Sequence, residues 1–287
     1  MNDISRNSGK IREQERLNRV LVQLKKQKFK INTTFLNTRQ YMNGASYFQR
    51  LTKLFPNTND ACHSINKTEC PVFVVHNNWI VSKEAKIFRF REHLMWLYDG
   101  KDRYYSSETR KYLTYTNPKP NVRLSLQDQQ DLTERQVSAL KTALAIGHLL
   151  DRAVILPKFY CGPNAVQCLL NSFIRIKTFD DSFSGHYRES SFLRHPQVPD
   201  SVKQSFGYQQ LLSHATRSSH ASKIYTIASD RVVRLFRNLK DKVINFGILE
   251  KVVVKFSNDS TDARFDNNVR KAFQLSDYMQ VKLGKFL

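Results

Sequence analysis

Nowhere in the sequence do about eighteen apolar residues run together, the length a helix needs to cross a bilayer. The first ten residues, MNDISRNSGK, are polar and hold no apolar h-region, so no secretory leader is visible there. Acidic residues are scarce: 25 Asp and Glu stand against 46 Lys and Arg, a formal net charge of +21. That excess predicts attraction to polyanions and raises nucleic acid as a partner. The basic residues, however, are spread over the whole length, with only short clusters such as Lys25-Lys26-Gln27-Lys28. Zinc-finger spacing, an RNP-like aromatic box and a basic heptad region are all missing, so nucleic acid is not the expected partner. A solvated basic surface, or affinity for a nucleotide diphosphate, is the preferred reading. The residue types of a hydrolase triad occur around Ser213, His214, Ser218, His220 and Asp230, but no G-x-S-x-G elbow places a serine on a sharp turn. The C-terminal tail shows no repeats and no low-complexity tract.

The four cysteines fall into two close pairs, Cys62 with Cys70 and Cys161 with Cys168, too widely spaced for C-x-x-C zinc or redox motifs. Two disulfides are the simplest reading, although other connectivities satisfy the same count. N-x-S/T sequons at Asn32, Asn66 and Asn258 point the same way, toward an oxidising secretory-pathway lumen.

What is present suits an α/β protein. With 287 residues, 40% of them hydrophobic, the chain can bury a real core as one large or two ordinary domains. Leu17, Val20, Leu21 and Leu24 recur at helical spacing, predicting an amphipathic helix over 10–28. Residues 29–36 read as a strand. Asn43-Gly44 reads as a turn, with Tyr47 and Phe48 behind it as core or sugar-stacking rings. Residues 54–70, which include His63, read as a loop. The unbroken apolar run Val72 to Val75 predicts a parallel or central strand. Ser82 is the expected N-cap of a helix carrying Ile87, Phe88, Phe90, Leu94 and Met95. Asn117-Pro118-Lys119-Pro120 breaks regular structure and marks a boundary, giving domains 1–116 and 117–287. In the second, Thr133-x-x-Gln136 matches a capping box for a helix ending at Leu150, followed by a short apolar strand at 153–156. A helix over 224–246 and a strand over 249–256 complete the pattern.

His76-Asn77-Asn78 stand at the carboxyl end of the 72–75 strand, where α/β proteins place ligand-binding groups. From the residues alone, His76 is either a packed structural imidazole or a metal ligand, with Asn77 and Asn78 offering amides to a phosphate or sugar. The longer stretch HNNWIVSKEAKIFRF resembles the closing motif of the nucleotide-diphospho-sugar transferases, the group that includes glycosyltransferase family 77 and the plant extensin arabinosyltransferases. The resemblance implies the C-terminal part of an A-type, Rossmann-like glycosyltransferase domain. In that fold a late histidine completes the shell of a divalent metal, usually manganese, held first by an Asp-x-Asp. By resemblance His76 takes that role, and Asn77, Asn78 and Lys83 contact the donor. MNGASYF resembles the N-G-x-x-Y-F step that precedes this strand, which puts Asn43 and Gly44 beside the sugar. EQERLN resembles a D-Q-x-x-x-N segment near the acceptor groove; Glu13 stands where Asp is usual, so only Gln14 and Asn18 carry over.

The second half resembles the trailing, fucosyltransferase-like domain of the same proteins, through ALKTALAIGHLLDRAVILPKFYC and YRESSFL. It lacks the G-x-N-N-Q loop and the arginine-rich motif of that fold, so it is expected to be structural or acceptor-positioning. Arg188 and Glu189 are either a surface ion pair or, for Arg188, a grip on a diphosphate. No Asp-x-Asp occurs anywhere, and the Asp pairs that do occur have the wrong spacing and follow the HNNW motif. The expectation is therefore a chain that begins inside the catalytic domain. The activity implied is transfer of a sugar, from a donor expected to be UDP-linked, to a glycan or glycoprotein acceptor in the Golgi or endoplasmic reticulum lumen. Manganese or another divalent metal would assist, and any membrane anchor is expected only in a full-length form. The alternative is a non-catalytic lumenal carbohydrate- or partner-binding protein.

Overall fold

Apolar stretches of three or four residues punctuated by helices, as found here after residue 110, are what a buried parallel sheet requires. The computed structural model describes residues 13–30, 34, 41–44, 47–48, 73–78, 80, 82–168, 170–217, 224–257 and 259–273. The expectations at Asn32, Asn66, Cys62, Cys70, His63 and the Asn258 sequon lie outside the described residues.

Helix α1 (Glu13–Lys26) leaves Leu17 and Val20 exposed, and it ends where Lys28 turns left-handed at φ 60° and the Phe29 N–H reaches back to the Leu24 carbonyl. The expected strand over 29–36 is not seen at its described residues, Phe29, Lys30 and Thr34. Strands β1 (Tyr41–Asn43) and β2 (Val74–His76) pair in parallel, with Asn43 level with His76. Asn43-Gly44 is thus the end of a strand rather than a turn. Gly44 is there because its neighbour is close: a Cβ would sit 2.6 Å from the Asn78 carbonyl oxygen. Helix α2 (Lys83–Glu92) starts as predicted, Ser82 Oγ accepting from the Ala85 N–H at 3.2 Å. It stops short of Leu94 and Met95 because Leu94 itself adopts a φ of 57°.

The remaining elements run β3 (Tyr112–Thr114), α3 (Leu126–Leu150), β4 (Ala153–Ile155), the hairpin β5 (Phe159–Cys161) and β6 (Val166–Cys168), then α4 (Leu170–Phe173), α5 (Ile176–Phe183) and β7 (Tyr187–Arg188). After these come α6 (Asp200–Lys203), β8 (Phe206–Tyr208), β9 (Thr216–Arg217), β10 (Tyr225–Ala228), α7 (Ser229–Phe236), β11 (Val243–Asn245), β12 (Val252–Lys255) and α8 (Asp259–Ala272). The helix expected over 224–246 is confined to α7. The β-branched and aromatic run Tyr225-Thr226-Ile227 pairs with β12, and Val243-Ile244 is buried in the main sheet. The capping box of α3 lies eight residues before the predicted one: Ser125 and Asp128 satisfy each other's backbone N–H groups, while Thr133 is interior and bonds back to the Gln129 carbonyl.

The main sheet has five parallel strands in the order β7-β4-β3-β11-β8. Successive side chains of each strand face opposite layers. Leu113, Val154 and Ile244 join the larger core with Leu140 and Leu144 of α3 and Phe179 of α5. Tyr112, Ala153, Ile155 and Val243 face the other way, toward Phe192 and Val202. The buried Arg152 guanidinium ties the entry ends of three strands by donating to the carbonyls of Tyr112, Leu239, Asp241 and Lys242. The turn at Asn117–Pro120 directly follows β3, the middle strand, so the sheet draws strands from both sides of it. A disulfide joins Cys161 to Cys168 across the β5–β6 hairpin, as the spacing suggested.

Candidate functional site

The polar cluster after β2 is held by a specific set of bonds. Asn78 Oδ1 accepts from the Gly44 N–H at 2.9 Å, and Asn77 donates from Nδ2 to the Lys86 carbonyl at 3.0 Å. The buried Arg89 guanidinium lies across both, donating from Nη1 to Asn77 Oδ1 at 3.2 Å and to the Asn78 carbonyl at 3.3 Å. Burial lowers its pKa, which the nearby Glu92 partly offsets. Phe48, fully buried, places its ring 5.1 Å from that guanidinium and 4.6 Å from the His93 ring. This settles Phe48 as core. His76 and Lys83 are exposed, His76 at the carboxyl end of β2 and Lys83 at the first turn of α2, while Asn18 is exposed on α1. The structure therefore gathers Asn43, Gly44, His76, Asn77 and Asn78 at one strand end, with the two asparagine amides engaged in holding it.

A divalent metal of the manganese type needs several oxygen or nitrogen ligands in one shell. Among the described residues no three His, Cys, Asp or Glu side chains lie close enough to share an ion. Those residues, with His76 alone as donor, do not fit the group.

A second polar cluster, which sequence reading did not find, lies where α2 meets the sheet. Glu189 is buried, and Glu92 is half-buried with its Oε2 shielded from solvent. Glu92 Oε1 accepts from the Leu170 N–H at 3.3 Å and Oε2 has no hydrogen-bond partner; Glu189 Oε2 accepts from the Tyr104 hydroxyl at 2.7 Å and Oε1 has none. Burial pushes the Glu92 carboxyl up to about 8, against the Leu170 N–H and with the help of Glu189's charge. Burial likewise raises Glu189. The Tyr104 ring is sandwiched by two guanidinium groups, Arg91 at 3.5 Å and Arg188 at 4.0 Å from its centroid. Arg188 is no surface ion-pair partner, because it is buried and its guanidinium is taken up by the carbonyls of Tyr104, Gly185 and Tyr187. A cavity of about 10 Å³, room for roughly one water, opens beside Glu92, Ser190 and Lys158. The sequence signal for Glu92 was its spacing: with Ala85 and Phe88 it completes an i, i+3, i+7 face.

The strand order reverses between β3 and β11, the place where open α/β sheets take ligands outside their carboxyl ends. Asn117 stands there, buried, donating from Nδ2 to the Lys158 carbonyl at 3.2 Å while Oδ1 has no partner. The Lys158 ammonium is held below its ordinary value by burial and by the cations Arg194 and Lys119.

No family model matches the chain, and no solved structure matches it. It is similar to the arabinosyltransferase XEG113 of Arabidopsis thaliana, with 26% identity over 177 residues, covering 49% of this chain and 27% of that protein. That similarity supports a glycosyltransferase-like relationship at most. The match spans about a quarter of that relative's length, and the mixed α/β architecture with its parallel sheet is consistent with such a fold.

Proposed function

We propose that this chain is part of a glycosyltransferase that moves a sugar from a nucleotide-diphosphate donor to a glycan or glycoprotein acceptor. The observation that carries the reading is the similarity to an arabinosyltransferase, supported by a parallel strand pair whose carboxyl ends bring His76 level with Asn43. In this reading His76 is one ligand of a divalent metal whose other ligands the described residues do not supply, and no chemical step is assigned to that metal. Lys83 contributes an exposed cation for the diphosphate. Asn77, Asn78 and Gly44 are positioning residues that set the strand end on which His76 sits. Gln14 and Asn18 border the acceptor. The Cys161–Cys168 disulfide and the relative's class favour the lumen of the endoplasmic reticulum or Golgi.

The test is a transfer assay on the full-length gene product with a panel of UDP-linked sugars and glycan acceptors, with and without manganese. His76→Ala is expected to abolish transfer while the unfolding free energy stays within about 0.5 kcal/mol of the parent, as for any exposed site. Undiminished transfer by the variant would remove His76 from the site. A second reading, a non-catalytic carbohydrate-binding protein, draws on the donor set at His76, which the described residues leave incomplete. Saturable glycan binding without consumption of any donor would favour it.

A further inference from the structure

On the entry side of the main sheet, opposite the edge that carries Asn117 and Lys158, the last turns of α3 and α5 and the first part of α8 enclose a cavity of about 220 Å³. Its lining includes the apolar Leu144, Phe183 and Phe265, and four cationic or imidazole side chains: His148, Arg152, His186 and Arg264. Among the described residues no carboxylate lines it. Arg152 is already committed to backbone carbonyls and supplies charge alone. The side chains of His148, His186, Thr261, Arg264 and Asn268, by contrast, make no hydrogen bond or ion pair with any other described residue. The imidazole of the exposed His186 is held below its ordinary value by partial desolvation, then by Arg110 and His148, with Asp151 opposing and Arg188 adding. The Arg152 and Arg264 guanidinium groups thus bring positive charge to the cavity, with Asp151 the opposing charge named beside His186.

We propose that this cavity binds a small phosphomonoester of about the size of a sugar phosphate. The phosphate meets Arg264 and the two histidines, and the hydroxyls of the body meet Thr261 and Asn268. Arg offers phosphate a planar fork of donors, and imidazoles add donors that strengthen on an anion. Two guanidinium groups, with no carboxylate among the described lining residues, favour a dianion over a neutral sugar. Size excludes larger ligands: pockets for drug-sized molecules run from about 300 to 1,000 Å³, so this one takes something smaller than a nucleotide sugar. The proposal is independent of the strand-end reading at His76, since the two sites share no residue.

The experiment is calorimetric titration of the protein with glucose 1-phosphate, with inorganic phosphate and glucose in parallel, for the parent and for Arg264→Ala, His186→Ala and Lys101→Ala. Arg264, His186 and Lys101 are all exposed, and circular dichroism checks that each variant keeps its fold. Saturable binding of the sugar phosphate is expected, with a loss of about tenfold in the first two variants and none in the third. Failure of the sugar phosphate to bind at millimolar concentration would overturn the proposal, as would glucose binding equally well. Equal affinity in Arg264→Ala and the parent would also overturn it. Inorganic phosphate binding as tightly as the sugar phosphate would remove the assigned roles of Thr261 and Asn268.

Discussion

Glu92→Gln should gain stability relative to the parent as pH rises. In the folded chain the Glu92 carboxyl titrates at about 8 against 4.5 for the unconstrained group. The folded state therefore holds a proton that the unfolded chain releases. Stability linked to this residue is fully present below about pH 4.5 and is lost as pH climbs toward 8. A gap of about 3.5 pH units at 1.36 kcal/mol each sets a limit of about 5 kcal/mol. The linkage relation places about 1 kcal/mol of that penalty at pH 5 and nearly all of it at pH 9. Glutamine keeps an oxygen for the Leu170 N–H and never ionises.

The amide brings a cost of its own, because its N–H groups replace an oxygen that has no partner, at about 1–3 kcal/mol independent of pH. The informative quantity is thus the change in the difference between variant and parent. It should grow by about 4 kcal/mol in favour of the variant between pH 5 and pH 9. Urea unfolding of both proteins at pH 5, 7 and 9, at fixed ionic strength, measures it. The adjacent His93, which burial lowers to about 4, loses stability in the opposite sense as pH falls from 6.5, and this is common to both proteins and cancels. A difference that stays constant across the range would refute the buried, protonated carboxyl.

Gly147→Ala in α3 should destabilise by about 1–2 kcal/mol although alanine is the better helix former: the new Cβ meets the Arg152 carbonyl oxygen at 2.7 Å and Val154 Cγ2 at 3.1 Å, and overpacking outweighs a propensity gain of about 1 kcal/mol. A raised unfolding midpoint would show that the helix can shift away. Replacing Cys161 and Cys168 together by serine should cost about 2–3 kcal/mol, the chain-entropy value for a loop of this length, and reductant should lower the parent's melting temperature to match. An unchanged melting temperature in reductant would show that the hairpin does not depend on the bond.

Much of the architecture was legible because it depends on local chemistry. The Ser82 cap, the helix ending at Leu150, the parallel strand at Ala153–Ile155 and the Cys161–Cys168 pair are each fixed by neighbours in sequence. The misreadings came where distant residues decide. Asn43-Gly44 carries turn chemistry, yet close approach of Asn78, 34 residues away, makes it a strand end. Arg188 and Glu189 look like a surface pair until Tyr104, brought in from 84 and 85 residues earlier, covers the first and bonds the second. Thr133 satisfies a capping pattern inside a helix that an equivalent pattern, Ser125 to Asp128, starts earlier. Arg188 and Glu189 fall in YRESSFL and Glu92 on a helix face, but no motif joins them, because the second cluster forms only when α2 docks on the sheet.

That docking bears on the strand-end site. On one side of α2, Arg89 grips Asn77 and Asn78 and thereby the segment that carries His76. On the other, Glu92 takes the Leu170 N–H, the Arg91 carbonyl takes the Ser191 hydroxyl, and Phe88 packs 5.6 Å from Tyr187. Beyond the helix end His195 bonds the Trp96 carbonyl and stacks on Tyr105 at 3.6 Å. One helix of ten residues therefore links the strand-end cluster to the parallel sheet through side chains that are mostly buried and polar. Buried polar links of this kind hold one geometry when satisfied and are expensive when broken. The polar groups at the end of β2 and those at the carboxyl edge of the sheet are thereby held in a single arrangement, and a change at Arg89 or Glu92 should be felt at His76 without touching it.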